Sequence, residues 1–514
     1  MRPWSGWGGR FLPAENPVRV EVAGGPATGI SEYPHLIVHD PESRRARVRA
    51  QFRAPAGCQP GRIVSDGVLA VVQGRLREMS AIRSSRRDPL TVVSLFTGAG
   101  GLDLGLEMAG FHTVAAVDFD ADCVTTLREN QANRVPIPGN GDRHFLAGAK
   151  LLHTRVEDLL ASDLRPDACF KNWVPDLLAG GPPCQPFSSA GKQRGLDDPR
   201  GRLFDEFVRL ADRLQPRLIL FENVRGLVTA DGPTGDPGEA LALVRDSFER
   251  IGYATTFALL NAADYGAPQR RVRLFMMGSR SSPLPSFPEP THRDSQGNAL
   301  VPPLQPWRTL RDFLEAQPHP DADEIVRPTP TLADLLEQVA PGSGLKSAGA
   351  RETTRPGGHW GYKQGTFIAD LTKPARTVTA AATQDWVRWR EGLRRLTLSE
   401  CAGLQGFPDK WTFCGSKGSR FRQVGNAVPT VFGEVLGVEL ARALRADSVG
   451  RRPSSRPWPQ SFVAAVEYTK RDRAKNGRSR VAAKIGVATG NSPVLQFKGL
   501  GSAGKPPTGS QSAA

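Results

Sequence analysis

Four residues of this 514-residue chain have the types and settings for covalent chemistry. Cys184 stands in "GGPPCQPFSSAGKQRG" (180–195), directly after the apolar run "PDLLAG". A lone cysteine is ordinarily a small, inert core residue. Here its flanks are polar and stiff. Pro182 and Pro183 fix φ just before the thiol, and the preceding run predicts a strand whose carboxyl end is where α/β sheets place ligands. Glu222 closes a second apolar run in "LILFENVRG". A carboxyl group buried at a strand end acquires a raised pKa and can donate a proton; the alternative is an ordinary ion-paired glutamate. Arg271 and Arg273 in "PQRRVRLF" alternate along a predicted strand and so share one face. They could hold a carbonyl oxygen or a phosphate, or be two surface arginines. A thiol, an acid and a cationic pair are the parts of an acid-assisted covalent addition.

A second constellation precedes this one. "SLFTGAGGLDLG" sets Gly98, Gly100 and Gly101 between a β-rich run and a helix. Glycine there lets a ligand approach the backbone, and the helix N-terminus favours polar or anionic groups. Asp118 closes the next strand, 20 residues after Gly98, where a carboxylate can take both hydroxyls of a ribose. A glycine-rich turn alone is equally a tight structural turn. The order strand, turn, helix, strand, acid favours nucleoside binding.

The elements that must position these residues alternate. "TVVSLF", "TVAAVDFD", "DLLAG", "PRLILFENV", "TTFALLNAADYG" and "RVRLFMMG" read as strands. Helical text such as "LDLGLEMAGF", with Leu102, Leu106 and Ala109 on one face, and "GRLFDEFVRLADRL" lies between them. That pattern predicts an α/β fold, a parallel sheet covered by helices. From about 280 to 390 the alternation gives way to irregular, proline-rich text ("FPEPTH", "PGGHWGYKQG"), as in a smaller inserted domain. The first 88 residues mix Pro, Gly and Arg, and read as an extension ordered in part. The stretch from "GRRPSSRPWPQ" to the end reads as a basic, disordered tail.

Composition narrows the classes. Hydrophobic residues make up 39% and charged residues 23%, an ordinary globular balance. No apolar run suits a membrane span or a secretory signal, so a cytoplasmic setting is expected. The six cysteines (Cys58, Cys123, Cys169, Cys184, Cys401, Cys414) form no CxxC pair, which argues against zinc and against a disulfide framework. The net charge of +15 is concentrated at the ends: residues 1–88 carry 14 Arg against 8 acids, and 451–514 carry 12 Lys+Arg against 2 acids. Basic flanks suit nucleic acid, or are solvated tails.

Taken in order, the blocks "SLFTGAGGLDLGLEMAGF", "VDFD", "GGPPCQPFSSAGKQRGLDDPRGRLF", "LILFENVRG", "APQRRVRLFMMG", "RRLTLSECAGLQGFPDKW" and "QVGNAVP" resemble the bacterial cytosine-5 DNA methyltransferases over about 91–445. The resemblance implies a Rossmann-like, doubly wound S-adenosylmethionine-dependent domain with a smaller inserted target-recognition domain. Its parts would be a catalytic and cofactor domain (89–280), a target-recognition region (281–390) and a return segment (391–446); the N-terminal extension (1–88) and the tail (447–514) lie outside it. It matches Cys184 to the nucleophile that adds to C6 of cytosine. Glu222 is matched to the acid at N3 and the exocyclic amine, and Arg273, beside Arg271, to the group holding O2. Phe96, Gly98, Gly100, Gly101, Asp118, Phe119, Pro182, Asn426 and Val428 are matched to the pocket of the cofactor, S-adenosyl-L-methionine. The segment after the thiol is matched to a mobile loop, in which Gln185 and Ser188 would contact DNA around an extruded base.

Double-stranded DNA is the implied partner, engaged by a monomer, with a cognate restriction endonuclease as a further candidate. A branch that methylates transfer RNA carries a Cys-Phe-Thr tripeptide that does not occur here, and a catalytically dead relative would have no physical need of Cys184, Glu222 and Arg273 together. One position departs from the pattern. "HTRVEDLL" puts Arg155, followed by Glu157 and Asp158, where the family has an acid for the adenine amine, and Cys401 is expected to be structural.

Overall fold

The computed structural model describes residues 19–23, 35–39, 48–51, 89–165, 173–183, 203–294, 304–345, 366–390, 392–446 and 453–488. Cys184, Gln185, Ser188 and the run "GVLAVVQGRL" lie outside the described residues.

The chain divides into two compact units, Met1–Asp88 and Pro89–Ala514. In the first, strands β1 (Arg19–Ala23), β2 (His35–His39) and β3 (Val48–Gln51) form an antiparallel sheet in the order β1-β2-β3. Sequence reasoning had expected an extension ordered in part and had named no strand there.

The second unit is built on a seven-stranded sheet. Its strands are β4 (Leu90–Leu95), β5 (Phe111–Asp118), β6 (Lys150–His153), β7 (Leu177–Gly180), β8 (Leu218–Val224), β9 (Ala254–Asn261) and β10 (Val272–Ser279), in the order β6-β5-β4-β7-β8-β10-β9. All neighbours are parallel except β10, which runs antiparallel to both β8 and β9. Side chains alternate between two cores. Val93 and Leu95 of β4 pack with α3 (Leu203–Leu214) and α4 (Glu239–Arg250), whereas Leu90 and Val92 pack with α1 (Gly101–Met108) and α9 (Thr430–Arg445). Helices on both faces of a sheet whose order reverses at β4 make it doubly wound, and the reversal opens a crevice at the carboxyl ends of β4 and β7. Helix α2 (Ala121–Ala132) follows β5, capped by the Asp120 side chain on the N–H groups of Asp122 and Cys123.

The region expected as an inserted domain consists of short pieces. Helices α5 (Leu310–Ala316) and α6 (Pro330–Glu337) accompany a small sheet of β13 (Ser343–Gly344), β14 (Phe367–Ile368), β15 (Trp386–Trp389) and β16 (Gly392–Arg395), after the two-residue strands β11 (His292–Arg293) and β12 (Gln305–Pro306). Two corrections apply. The expected boundary at 390 cuts an antiparallel pair, since Trp389 is in register with Gly392. The region also shares a core with the catalytic part: Leu310, Phe313, Val378 and Val387 pack in one cluster with Ala99, Leu104 and Leu127.

The last segment is corrected too. Of the residues expected to be a disordered tail, 453–488 are described: they dock on the sheet and continue as helix α10 (Gln460–Ala488), after α7 (Leu398–Leu404), α8 (Lys417–Asn426) and α9. Phe462 is 3% exposed within the core that holds α3 and α4. Apolar anchoring outweighs the basic composition.

Candidate active site

Strand register brings the site together. Leu95 pairs with Val117 and with Gly180, and Gly180 pairs with Phe221. The next residues along these strands, Phe96, Asp118, Gly181 and Glu222, therefore stand along one rim of the crevice. At its first end, Phe96 holds a left-handed φ of 54°, a conformation that a non-glycine residue keeps only where its surroundings enforce it. Gly98 (φ 58°) and Gly100 (φ 83°) continue the turn, and helix α1 starts at Gly101. A Cβ on Gly98 would meet nothing within 4 Å, so the turn presents bare backbone to open space. The same atom on Gly101 would collide with the carbonyl oxygen of Val428.

Asp118 is buried and shaped by the turn it serves. The Gly98 N–H donates to its Oδ2 at 2.7 Å and the Asp120 N–H to its Oδ1 at 2.8 Å. Burial pushes its pKa up, and these backbone donors draw it back. A carboxylate has about four acceptor positions, so capacity remains for a ribose diol. Phe119, next to it, is 58% exposed and offers an uncovered aromatic face. These features fit a nucleoside: a bare-backbone turn, a carboxylate with acceptor capacity and an adjacent free ring.

At the other end, Glu222 is buried and paired with Arg273, whose Nε lies 3.0 Å from Glu222 Oε1. The antiparallel register allows this: Phe275 faces Glu222 and Arg273 faces Val224 across β8–β10. Burial raises the Glu222 pKa, and the charges of Arg273 and Arg271 oppose that rise. Gly181 is packed beneath the carboxylate, where a Cβ would come closer than 3.0 Å to Glu222 Oε2. Asn223 donates its Nδ2 to the Pro182 carbonyl at 3.3 Å. The strand carrying the acid thus grips the backbone two residues before Cys184.

Residues 90–442 match the family model for C-5 cytosine-specific DNA methylases. The chain belongs to this family. It is 32% identical to the Type II methyltransferase M1.HphI of Haemophilus parahaemolyticus, over 68% of this chain and 85% of that protein. It is 31% identical to M.XorII of Xanthomonas oryzae over 69% and 85%, and 34% identical to M.NaeI of Lentzea aerocolonigenes over 70% and 77%. A solved methyltransferase structure from Entamoeba histolytica aligns over 70% of this chain and 100% of its own, at 12% identity and a TM-score of 0.47. The protein is a DNA (cytosine-5) methyltransferase, and its family and fold imply S-adenosylmethionine as methyl donor.

In this methyltransferase the two arginines have separate tasks. Arg271, expected beside Arg273 on one catalytic face, lies just before β10 and is 1% exposed. Its guanidinium donates to the carbonyls of Val378 (3.0 Å), Gly425 (2.8 Å) and Ala427 (2.9 Å). It braces the segment containing Asn426 and Val428, while Arg273 pairs with the acid. Val428 is half-buried and its backbone touches the Gly101 turn. Asn426 ends α8 and is exposed. Arg155, Glu157 and Asp158 are all exposed beside the Val156–Asp158 turn. Cys401 is fully buried in the core, and burial pushes its thiol pKa well up, which suits a structural role.

Sequence reasoning missed several supporting residues. Asn223 was signalled only by its place in "ENV". Gln269, buried, donates to the Leu404 carbonyl and to Gln405 Oε1 and accepts from the Val378 N–H, tying the "PQRR" block to the return segment. Asp103 is wholly buried in the first turn of α1. Burial pushes its pKa up to about 6, with the Ser94 hydroxyl opposing. Among the described residues no cluster suits a metal ion, and no helix is long and apolar enough to cross a membrane.

Proposed function

We propose that this enzyme methylates C5 of a cytosine extruded from double-stranded DNA through a temporary bond between Cys184 and C6. The observation that supports this best is the seat of Glu222: buried, paired at 3.0 Å to Arg273, and packed on Gly181, three residues before the cysteine. Cytosine C5 is a poor nucleophile, and addition of a thiolate at C6 divides one hard step into two easier ones. Addition drives negative charge into the ring toward N3. A carboxyl group whose pKa burial raises can donate there, and Arg273, paired with it, holds it in place and is the group assigned to O2. Pro182, Pro183 and the Asn223 bond to Pro182 limit where the thiol can be, which is how fixed geometry lowers such a barrier. S-adenosylmethionine supplies an electrophilic methyl group when bound. The residues suited to hold it are Phe96, Gly98, Gly100, Gly101, Asp118, Phe119, Pro182, Asn426 and Val428. Loss of the C5 proton and expulsion of the thiolate restore the aromatic ring. Gln185 and Ser188 are assigned to the DNA side of the loop. The relatives' designation as Type II methyltransferases supports a place beside a restriction endonuclease.

Incubation with methyl donor and a duplex bearing 5-fluorocytosine at the target should give an adduct that resists denaturation, because fluorine cannot leave as the C5 proton does. Cys184→Ser should form no adduct and transfer no methyl group while still binding DNA. Methylation by that variant at the parental rate overturns the mechanism.

A further inference from the structure

The segment after the catalytic domain is fastened more firmly than a linker requires, and then carries its charge away from the fastening. Strand β9 is one of the two edges of the sheet. Here the Thr255 N–H donates to Ser455 Oγ at 2.9 Å, and the Arg456 N–H to the Thr255 carbonyl at 2.9 Å, covering the edge. The Trp458 ring lies on Phe257 at 4.8 Å, with the Arg245 guanidinium 4.7 Å from its centre. Phe462 is buried, and a Cβ on Gly238 would lie 2.8 Å from a Val466 methyl. The last fastening is polar: Arg473 Nη1 to Asp231 Oδ1 at 2.8 Å. Asp231 follows the 3-10 turn Arg225–Thr229, which itself follows Glu222 on β8. Helix α10 therefore leads from the far edge of the sheet to the flank of the catalytic rim.

Beyond Val466 its character changes. Lys470, Arg471, Arg473 and Lys475 are all exposed. Residues 476–514 add five Lys+Arg and no acid. Arg471 and Lys475 each lie two residues from Arg473, so at about 100° per residue they point away from the body to which Arg473 is tied. Like charges four apart on a helix repel by a few tenths of a kcal/mol, and nearby anions relieve that repulsion. From Arg473 to the end of α10 at Ala488 the helix advances roughly 22 Å, along which duplex DNA presents about one phosphate per 1.7 Å of axis.

We propose that α10 is a DNA-backbone arm: its first half is a fixed base, and its basic second half contacts phosphates of the duplex flanking the target, outside the recognised sequence. This rests on the reading of duplex DNA as substrate. It goes beyond that reading in assigning a second, sequence-independent contact surface.

The test compares the full chain with Arg471→Ala/Lys475→Ala and with a chain ending at Lys475. Each is titrated over a salt series with a short duplex just covering the target and with one extended well beyond it. On the long duplex, the double substitution should reduce the slope of log K against log salt by about two, at about 0.9 per phosphate lost, and the truncation should reduce it further. On the short duplex the three proteins should bind alike and methylate the same site. Equal slopes on the long duplex overturn the arm. So does an effect of the same size on both duplexes. If the full chain methylates neither duplex, the reading of the catalytic site fails, and the arm with it.

Discussion

Replacing Gly181 by alanine should cripple the chemistry while sparing the fold. Gly181 is not among the glycines with a left-handed φ, so the added methyl acts by contact and not through backbone strain. Its carbon would come closer than 3.0 Å to Glu222 Oε2 and 3.5 Å from the carboxyl carbon, against the 3.4 Å at which ordinary contact begins. The carboxylate must therefore withdraw by about 1 Å, a displacement that costs on the order of 100-fold in rate, or about 2.7 kcal/mol of barrier. Moving Oε2 carries Oε1, which holds the 3.0 Å pairing with Arg273, along with it. The adjacent glycine is the control. A methyl on Gly180 would meet the backbone oxygen of Leu95, fixed in the sheet, and the Phe207 ring at 3.2 Å. Gly180→Ala should thus lose stability, by about 1–3 kcal/mol, yet keep its rate per folded molecule. Single-turnover methyl transfer with enzyme in excess, referred to the folded fraction from thermal melts, separates the two effects. A Gly181→Ala rate near that of the parent chain, or the same response at both glycines, refutes the placement of Glu222 against this turn.

Asp118→Asn should weaken binding of the methyl donor by about 10- to 100-fold in calorimetric titration, because an amide nitrogen would face one of two backbone N–H groups and a charged acceptor is lost; unchanged affinity removes Asp118 from the cofactor site. Burial pushes Glu107 up to about 7 from 4.5. An acid raised by folding stabilises the protein below its unfolded pKa and loses that stabilisation as pH climbs through its folded pKa, so thermal stability should fall between about pH 5 and pH 8, with up to about 3 kcal/mol of the fall due to this group. Glu107→Gln should flatten the curve, and a parallel fall in both proteins contradicts the assignment. Phe462→Ala should destabilise the chain by about 3 kcal/mol, as for other buried aromatic side chains, read as a lower midpoint in urea; no shift means that α10 is not docked.

The sheet and the acid–glycine pairs were legible because their signals are local. A strand end, a turn of glycines and a carboxylate 20 residues on all lie within one strand–helix–strand unit, and Gly98 and Asp118 do meet at 2.7 Å. Arg271 was misplaced because its role is set by carbonyls 107, 154 and 156 residues away, while its two-residue spacing from Arg273 suggested a shared face. The boundary at 390 ignored Gly392, whose φ of 87° marks the turn between β15 and β16.

The C-terminal segment is the most instructive error, because a signal was present and went unread. Trp458, Phe462 and Val466 recur every fourth residue, which is one apolar stripe of a helix. Net charge and the flanking Pro, Ser and Arg argued for disorder over the same residues. Charge is summed along a chain, whereas anchoring depends on a few side chains in register, and three at helical spacing sufficed to hold this segment to the edge strand and α4. The structure resolves the conflict by position: the apolar stripe governs up to Val466, and the basic run governs after it. A composition that looked like one tail is thus two elements, an apolar stripe seated on a sheet edge and a basic run to which the proposed arm assigns a polyanion.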